Sequence, residues 1–388
     1  MIEVLLLSLI PAAAWSGWIL ARGTSSRGER KRNLKFSNRY FQGLNYLLDE
    51  QPDKAIAVFI EMAEVTADTI EIHLALGSLF RRRGEVERAI RVHQNIISKP
   101  GLDDRQKTRA LLELGEDYMR AGLFDRAENL FKELIELESH APAALRSLLD
   151  IYQQEKDWQQ ALQQAQKLET VTDEKMGFLM AHFCCEMAEN DLKANKPAAV
   201  RKHLRQARRH FPESIRARLI LARIACQQQM YTEALDVYEE IADMDQEYIH
   251  EILQLYLSCA EKCEEYPRAL KQIESWAKDY DGVSLLLAQT TAIREDQGLA
   301  AATHYLADAL TRRPSVKGLD RLIELKLEGG PETESGDEIL RAVAQKLLAR
   351  QPSYRCTHCG YAGHSHHWQC PSCKNWSTTQ IIRGVLGE

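Results

Sequence analysis

Two stretches of the chain follow one pattern. Residues 77–93 read GSLFRRRGEVERAIRVH, and residues 115–131 read GEDYMRAGLFDRAENLF. Each stretch begins with a glycine, which is followed by an aromatic residue three positions later and by an alanine twelve positions later. A second glycine lies between the aromatic residue and the alanine. A glycine on one helix allows close approach of another helix, and a glycine after a helix ends it. The stretches therefore predict a helix–turn–helix unit that recurs along the chain.

The alanine of this pattern recurs over most of the sequence. Successive steps are 34, 38, 34, 38, 35, 35 and 33 residues, between Ala55, Ala89, Ala127, Ala161, Ala199, Ala234, Ala269 and Ala302. This is the period of the tetratricopeptide repeat, and the chain resembles that class over about eight units. The first three units keep the glycine, whereas the later units have Leu149, Met187, Ala222, Leu257 and Thr290 in its place. We expect an all-α, superhelical solenoid whose concave wall displays the first helix of each repeat.

The first 21 residues have the composition of a membrane anchor. From Ile2 to Leu20 the chain is apolar except for Glu3 and two serines, and nineteen helical residues span ~28 Å, enough to cross a hydrocarbon core. Cations dominate the following 18 residues, which predicts that this side stays in the cytoplasm and that the N-terminus faces outward. A buried core helix is the alternative interpretation.

Composition excludes several functions. The net charge of −6 gives no reason to expect nucleic-acid binding, which normally shows as a basic domain. The repeat region offers no recognisable nucleophile, phosphate loop or carboxylate–histidine motif, so we expect a binding scaffold and not an enzyme.

His182, His203 and His210 are interpreted as surface or satisfied core residues. Five cysteines lie in helical sequence and are interpreted as reduced and mostly buried: Cys184, Cys185, Cys226, Cys259 and Cys263.

The remaining four cysteines lie near the C-terminus in two Cys-x-x-Cys pairs, Cys356 with Cys359 and Cys370 with Cys373. Two such turns that face each other complete a tetrahedral sulfur site. The spacing predicts one structural metal ion, either iron or zinc, because four thiolates suit both. His358 lies within the first pair and His364, His366 and His367 lie between the pairs, and any of these is an alternative ligand. Trp368 and Trp376 are expected to dock the module against neighbouring helices.

One local charge run stands out in the repeats. Its cations recur at three- and four-residue spacing and predict a basic helical face, which is either simply solvated or a docking site for an acidic partner segment or lipid phosphate. The candidate partner-binding residues are Arg201, Arg205, Arg208 and Arg209, with Lys202, Arg216 and Arg218 nearby.

These features divide the chain into five predicted segments. They are a transmembrane anchor at 1–21, a basic juxtamembrane linker at 22–35, the repeat array at 36–314, a helical connector at 315–350 that includes a helix from Asp337 to Arg350, and a rubredoxin-like four-cysteine metal module at 351–388.

Anchor, repeats and terminal metal module in this order resemble the lipopolysaccharide assembly protein B family of Gram-negative bacteria. The resemblance implies a single-pass inner-membrane protein with a periplasmic N-terminus and a cytoplasmic bulk. It further implies an adaptor that brings the LpxC deacetylase to the membrane protease FtsH, with an inner-membrane lipopolysaccharide sensor and assembly proteins as further partners. A rubredoxin-like electron-transfer protein and a generic peptide-binding scaffold are the alternatives, although ordinary rubredoxins have a much longer spacer between their cysteine pairs.

Overall fold

The computed structural model describes residues 42–43, 45–46, 51–61, 69–328 and 335–388. The predicted anchor at 1–21 and linker at 22–35 lie outside these residues. Among the helices in the described ranges, none is both long and apolar enough to cross a membrane.

The chain forms two compact units, residues 1–174 and 175–388. The first contains α1 (Pro52–Glu61), α2 (Ile70–Arg82), α3 (Val86–Ile97), α4 (Asp104–Arg120), α5 (Phe124–Glu136), α6 (Ala141–Glu155) and α7 (Trp158–Thr172). Within this unit, α2 packs on α3, α4 on α5 and α6 on α7, as expected of helical-hairpin repeats.

The second unit continues the pattern and adds the metal module. Its helices are α8 (Gly177–Lys193), α9 (Pro197–His210), α10 (Ile215–Gln227), α11 (Tyr231–Met244), α12 (Ile249–Lys262), α13 (Tyr266–Trp276), α14 (Val283–Gln297), α15 (Leu299–Arg312), α16 (Val316–Glu328) and α17 (Ser335–Arg350). Its strands are β1 (Tyr354–Cys356), β2 (Ala362–Gly363) and β3 (Thr379–Ile381).

The periodic alanines lie at the contact between the two helices of each repeat. All eight are on the second helix, and all except Ala199 are fully buried. The repeat glycines face a ring on that helix: a Cβ on Gly77 would lie 2.3 Å from Nε2 of His93, and a Cβ on Gly115 would lie 2.6 Å from Cε1 of Phe131. The glycine is therefore required by the ring opposite it.

The fifth repeat is offset by one residue from the predicted register. Ala199 is only partly buried, whereas Val200 is buried in the alanine position. On the facing helix the small residue is Ala188, which is fully buried, and not Met187. The spacing between the fourth and fifth repeats is thus one residue longer than the spacing between Ala161 and Ala199 indicates.

A buried polar network occupies the second repeat, where His93 replaces the usual aromatic ring. His93 Nδ1 lies 2.5 Å from Asp117 Oδ2, and both side chains are fully buried. Arg81 donates to the other oxygen of Asp117 at 2.7 Å and also to Glu113. Since a buried carboxylate must be paired to be tolerated, this network links α2 and α3 to α4.

Candidate metal centre

A small antiparallel sheet, with strand order β2-β1-β3, supports the first cysteine pair. Tyr354 lies opposite Gly363 and Ile381, and Cys356 lies opposite Thr379. The backbone N–H of Gly360 donates to the carbonyl of Cys356, and that of Lys374 donates to the carbonyl of Cys370, both at 3.0 Å. Both residues adopt positive φ, +76° and +60°, so the two turns share one shape.

The two turns bring all four sulfurs together, within 4.8 Å of one another. Cys356 Sγ lies 3.7 Å from Cys373 Sγ, and Cys359 Sγ lies 3.7 Å from Cys370 Sγ. A tetrahedral ion with bonds of about 2.3 Å to sulfur requires about 3.8 Å between sulfurs. The donor set therefore fits a tetrahedral metal ion with little adjustment.

Neighbouring groups favour thiolate at part of this site. Thr378 Oγ1 lies 3.2 Å from Cys356 Sγ. This hydrogen bond, and then those from the backbone of Cys359 and His358, lower the pKa of Cys356 to about 6. Asn375 Nδ2 lies 3.5 Å from Cys373 Sγ. Burial raises the pKa of Cys370 to about 11, so a metal ion would have to displace that proton as it binds.

The histidines of the intervening loop are not members of this cluster, which contains cysteines alone among the described residues. His366 instead packs edge-on against Trp368 and Tyr354, with ring centroids 4.7 Å and 5.6 Å away. The hypothesis that a histidine replaces a cysteine has no geometric support.

The module does not cap the end of the array but folds back over earlier repeats of its own unit. The ring of Trp376 stacks on His182 of α8, and Trp368 stacks on Tyr248, just before α12, with 5.7 Å between centroids. The expected docking role of the two tryptophans is confirmed. The surface formed by His182, Arg216, Tyr248 and Glu251 is called the docking wall below.

Arg216 of α10 lies at the centre of the docking wall. Its guanidinium faces the rings of Trp368 and Trp376 at 5.7 Å and 5.8 Å, and its side chain is only 3% exposed. On the other side it donates to Glu186 and Glu189 at 2.7 Å and 3.2 Å. The sequence assigned Arg216 to the basic face, but it is a buried cation that pairs with its own carboxylates.

Further contacts extend the interface to α12 and α14. The Tyr354 hydroxyl donates to Glu251, whose pKa is lowered by hydrogen bonds from His250 and then from Tyr354. The Glu388 carboxylate accepts from the backbone N–H and hydroxyl of Ser284, at 3.0 Å and 2.7 Å. The module therefore contacts the first helix of four successive repeats, which no motif in the sequence indicated.

The remaining candidates, Arg201, Arg205, Arg208 and Arg209, are all exposed on α9, the second helix of its repeat. The last three line an open depression with Pro212 and Arg218. They lie together on one helix face, apart from the docking wall residues on the first helices.

Comparison with known proteins agrees with the metal module and the helical repeats described above. The rubredoxin metal binding domain family, a zinc ribbon, matches residues 354–380. Tetratricopeptide repeat families match residues 72–105, 112–173 and 185–249. The predicted fold, a tetratricopeptide-repeat solenoid with a C-terminal rubredoxin-like module, is thereby confirmed, as is the single structural metal ion, with the zinc ribbon favouring zinc.

Two relatives align with the whole chain or nearly all of it. Lipopolysaccharide assembly protein B of Escherichia coli K12 is 31% identical over 389 residues, which covers all of both chains. The protein of the same name from Haemophilus influenzae is 32% identical over 402 residues and covers 98% of each chain. Among solved structures, a tetratricopeptide repeat protein from Parabacteroides merdae aligns with 80% of this chain and 98% of its own, at 14% identity and a TM-score of 0.32.

Proposed function

Because the chain belongs to the lipopolysaccharide assembly protein B family, we propose that it is a non-enzymatic adaptor of lipopolysaccharide assembly at the bacterial inner membrane. In this proposal the segment at 1–21 is a single-pass anchor with a periplasmic N-terminus, and the repeats lie in the cytoplasm. The adaptor brings the LpxC deacetylase to the membrane protease FtsH, and an inner-membrane lipopolysaccharide sensor and assembly proteins are its further partners.

The observation that supports a non-enzymatic adaptor is the composition of the metal site. All four positions of the sulfur tetrahedron are filled by cysteines, Cys356, Cys359, Cys370 and Cys373. A closed four-thiolate site leaves no position for a substrate. The metal ion then has a structural role, because the module has little hydrophobic core of its own. Partner binding is assigned to the surfaces of the repeats.

The first helices of the N-terminal unit are the favoured partner surface. In the C-terminal unit the first helices already carry the metal module, through His182, Arg216, Glu251 and Ser284. In the N-terminal unit, Arg109 of α4 donates to Glu71 of α2 at 2.7 Å, and both side chains are about half exposed. This pair marks a charged, accessible surface across neighbouring first helices.

The basic face of α9 supplies a second candidate surface, for an acidic segment of a protein partner. Planar guanidinium groups bind carboxylates in a bidentate manner, and Arg205, Arg208 and Arg209 surround one depression. Reversal of these three charges to glutamate is expected to weaken partner binding at least tenfold at low salt. Loss of binding to anionic vesicles with unchanged partner binding would assign the face to lipid instead.

Site-directed photocrosslinking in intact cells tests the adaptor role. A crosslinking amino acid at Arg109 is expected to yield adducts with the deacetylase or the protease. A matched probe at Arg91, on the second helix α3 and 77% exposed, is expected to yield neither. Recovery of neither enzyme from Arg109 or other first-helix positions would defeat the proposal.

The two alternatives predict different measurements. A rubredoxin-like electron carrier would hold iron and show visible absorbance that bleaches with dithionite, whereas the zinc form is colourless. A generic peptide-binding scaffold would yield many unrelated adducts from Arg109, whereas the adaptor yields few.

A further inference from the structure

Two cysteines outside the metal centre lie side by side. Cys226 of α10 and Cys259 of α12 place their Sγ atoms 2.8 Å apart, and both are free thiols. A disulfide bond is about 2.05 Å long, so the sulfurs need to approach by only about 0.8 Å. A covalent bond therefore requires only a small further approach of the two side chains.

The two thiols differ in access. Cys226 is partly exposed and Cys259 is buried, so a small oxidant reaches Cys226 first. Burial, and then the neighbouring Cys226 itself, raise the pKa of Cys259 to about 12, so only a small fraction of Cys259 is thiolate at pH 7. A thiolate that is held beside the sulfur it attacks, however, reacts as if at an effective concentration of about 10⁵ M or more. Proximity therefore offsets the small thiolate fraction.

We propose that Cys226 and Cys259 are a redox modification site that closes to a reversible disulfide on exposure to a hydroperoxide. The Cys226 thiolate attacks one peroxide oxygen, the O–O bond breaks, and hydroxide leaves and is protonated to water. The Cys259 thiolate then attacks the resulting sulfenic sulfur, the S–S bond forms, and a second hydroxide leaves as water. Two thiols lose two electrons in total, and one hydrogen peroxide becomes two waters. A low-molecular-weight thiol reverses the reaction by disulfide exchange.

The position of the pair gives the bond a structural consequence. The helix that holds Cys226 also carries Arg216, and the helix that holds Cys259 also carries Glu251, and both residues contact the metal module. A disulfide would fix the separation of α10 and α12. Oxidation would thus lock the docking wall in its module-bound spacing while the metal cysteines stay ligated.

Peptide mapping of the full-length protein tests this inference. The metal-loaded protein is treated with a small excess of hydrogen peroxide, alkylated and digested without reductant. We expect a peptide that links positions 226 and 259 as the main oxidised species, no release of metal to a chromogenic chelator, and loss of the link after dithiothreitol.

Serine variants provide the controls. Cys226→Ser and Cys259→Ser are expected to abolish the link, whereas Cys263→Ser, one turn beyond Cys259, is expected to retain it. Separate alkylation of Cys226 and Cys259 in the wild-type protein, at a dose that already releases metal, would overturn the proposal. Linkage of either cysteine to another partner would do the same. The wild-type map decides the question even if a variant fails to fold.

Discussion

The indole of Trp376 stacks on the imidazole of His182, with ring centroids 4.8 Å apart and an interplanar angle of 27°. Ser377 Oγ lies 3.0 Å from Nε2 of the same imidazole. Burial, and then the nearby charge of Arg216, lowers the pKa of His182 to about 3. The docked module therefore keeps this histidine neutral.

Acid is expected to weaken docking through His182. Its folded pKa lies below the unfolded value of about 6.5, so the folded form binds fewer protons and stability falls as pH drops below 6.5. Between pH 7 and pH 5.5 the loss is about 1 kcal/mol. Urea unfolding followed by tryptophan fluorescence measures it. His182→Gln is expected to be less stable at both pH values, and the difference in its stability between them is expected to be smaller by about 1 kcal/mol. His366, whose pKa burial also lowers, contributes in the same direction in both proteins, and an unchanged difference would contradict the assignment to His182.

Removal of the metal is expected to unfold the module and leave the repeats folded. A chelator, or Cys356→Ser, removes the folding energy that the ion supplies. Tryptophan emission should then shift to the red as Trp368 and Trp376 become hydrated, while most of the helical circular dichroism persists. Wild-type thermal stability in Cys356→Ser would count against a structural role for the metal.

Arg216 is expected to contribute far more than a neighbouring surface arginine. Arg216→Ala leaves Glu186 and Glu189 without their buried partner and is expected to cost about 2–4 kcal/mol in the free energy of unfolding. Arg223 also approaches Glu189, at 3.7 Å, but is 53% exposed, so Arg223→Ala is expected to cost at most about 0.5 kcal/mol. Similar losses for the two variants in denaturant titrations would refute the central role of Arg216.

Gly115→Ala is expected to destabilise the protein. The added methyl group meets the buried ring of Phe131. Overpacking lowers the free energy of unfolding by about 1–3 kcal/mol. The better helix propensity of alanine offsets about 1 kcal/mol of this loss. Gly336→Ala is the matched control, because that helical glycine has no neighbour within 4 Å of the added atom, and it is expected to be neutral or stabilising. A second change, Phe131→Leu, should recover part of the loss in Gly115→Ala.

Repeat positions could be predicted where one small residue decides the helix contact. Ala89 and Ala127 are fully buried because their spacing repeats the same contact. The register was wrong at the fifth unit because Val200 fills the alanine position there, and valine looks like any other apolar residue in a helix. The four-cysteine cluster was predictable because its ligands are close in sequence.

The docking tryptophans could be predicted from the sequence, but the surface on which the module docks could not. The contacts of Trp376 with His182 and of Tyr354 with Glu251 join residues far apart in the chain, and they use residue types with no period of their own. The partner of Arg216 depends likewise on the tertiary arrangement. A charge run in sequence does not separate the arginines that a fold buries from those that it exposes.

The distance along the chain between the docking wall and the module also sets an order of events during synthesis. Ser377 meets His182 across 195 residues, and a ribosome adds about 5–20 residues per second, so this part of the wall is made about 10–40 s before its cover. During that interval the nascent chain presents uncovered aromatic and charged groups. Stalled or truncated chains that lack the module are therefore expected to leave the docking wall open to aggregation or to chaperones.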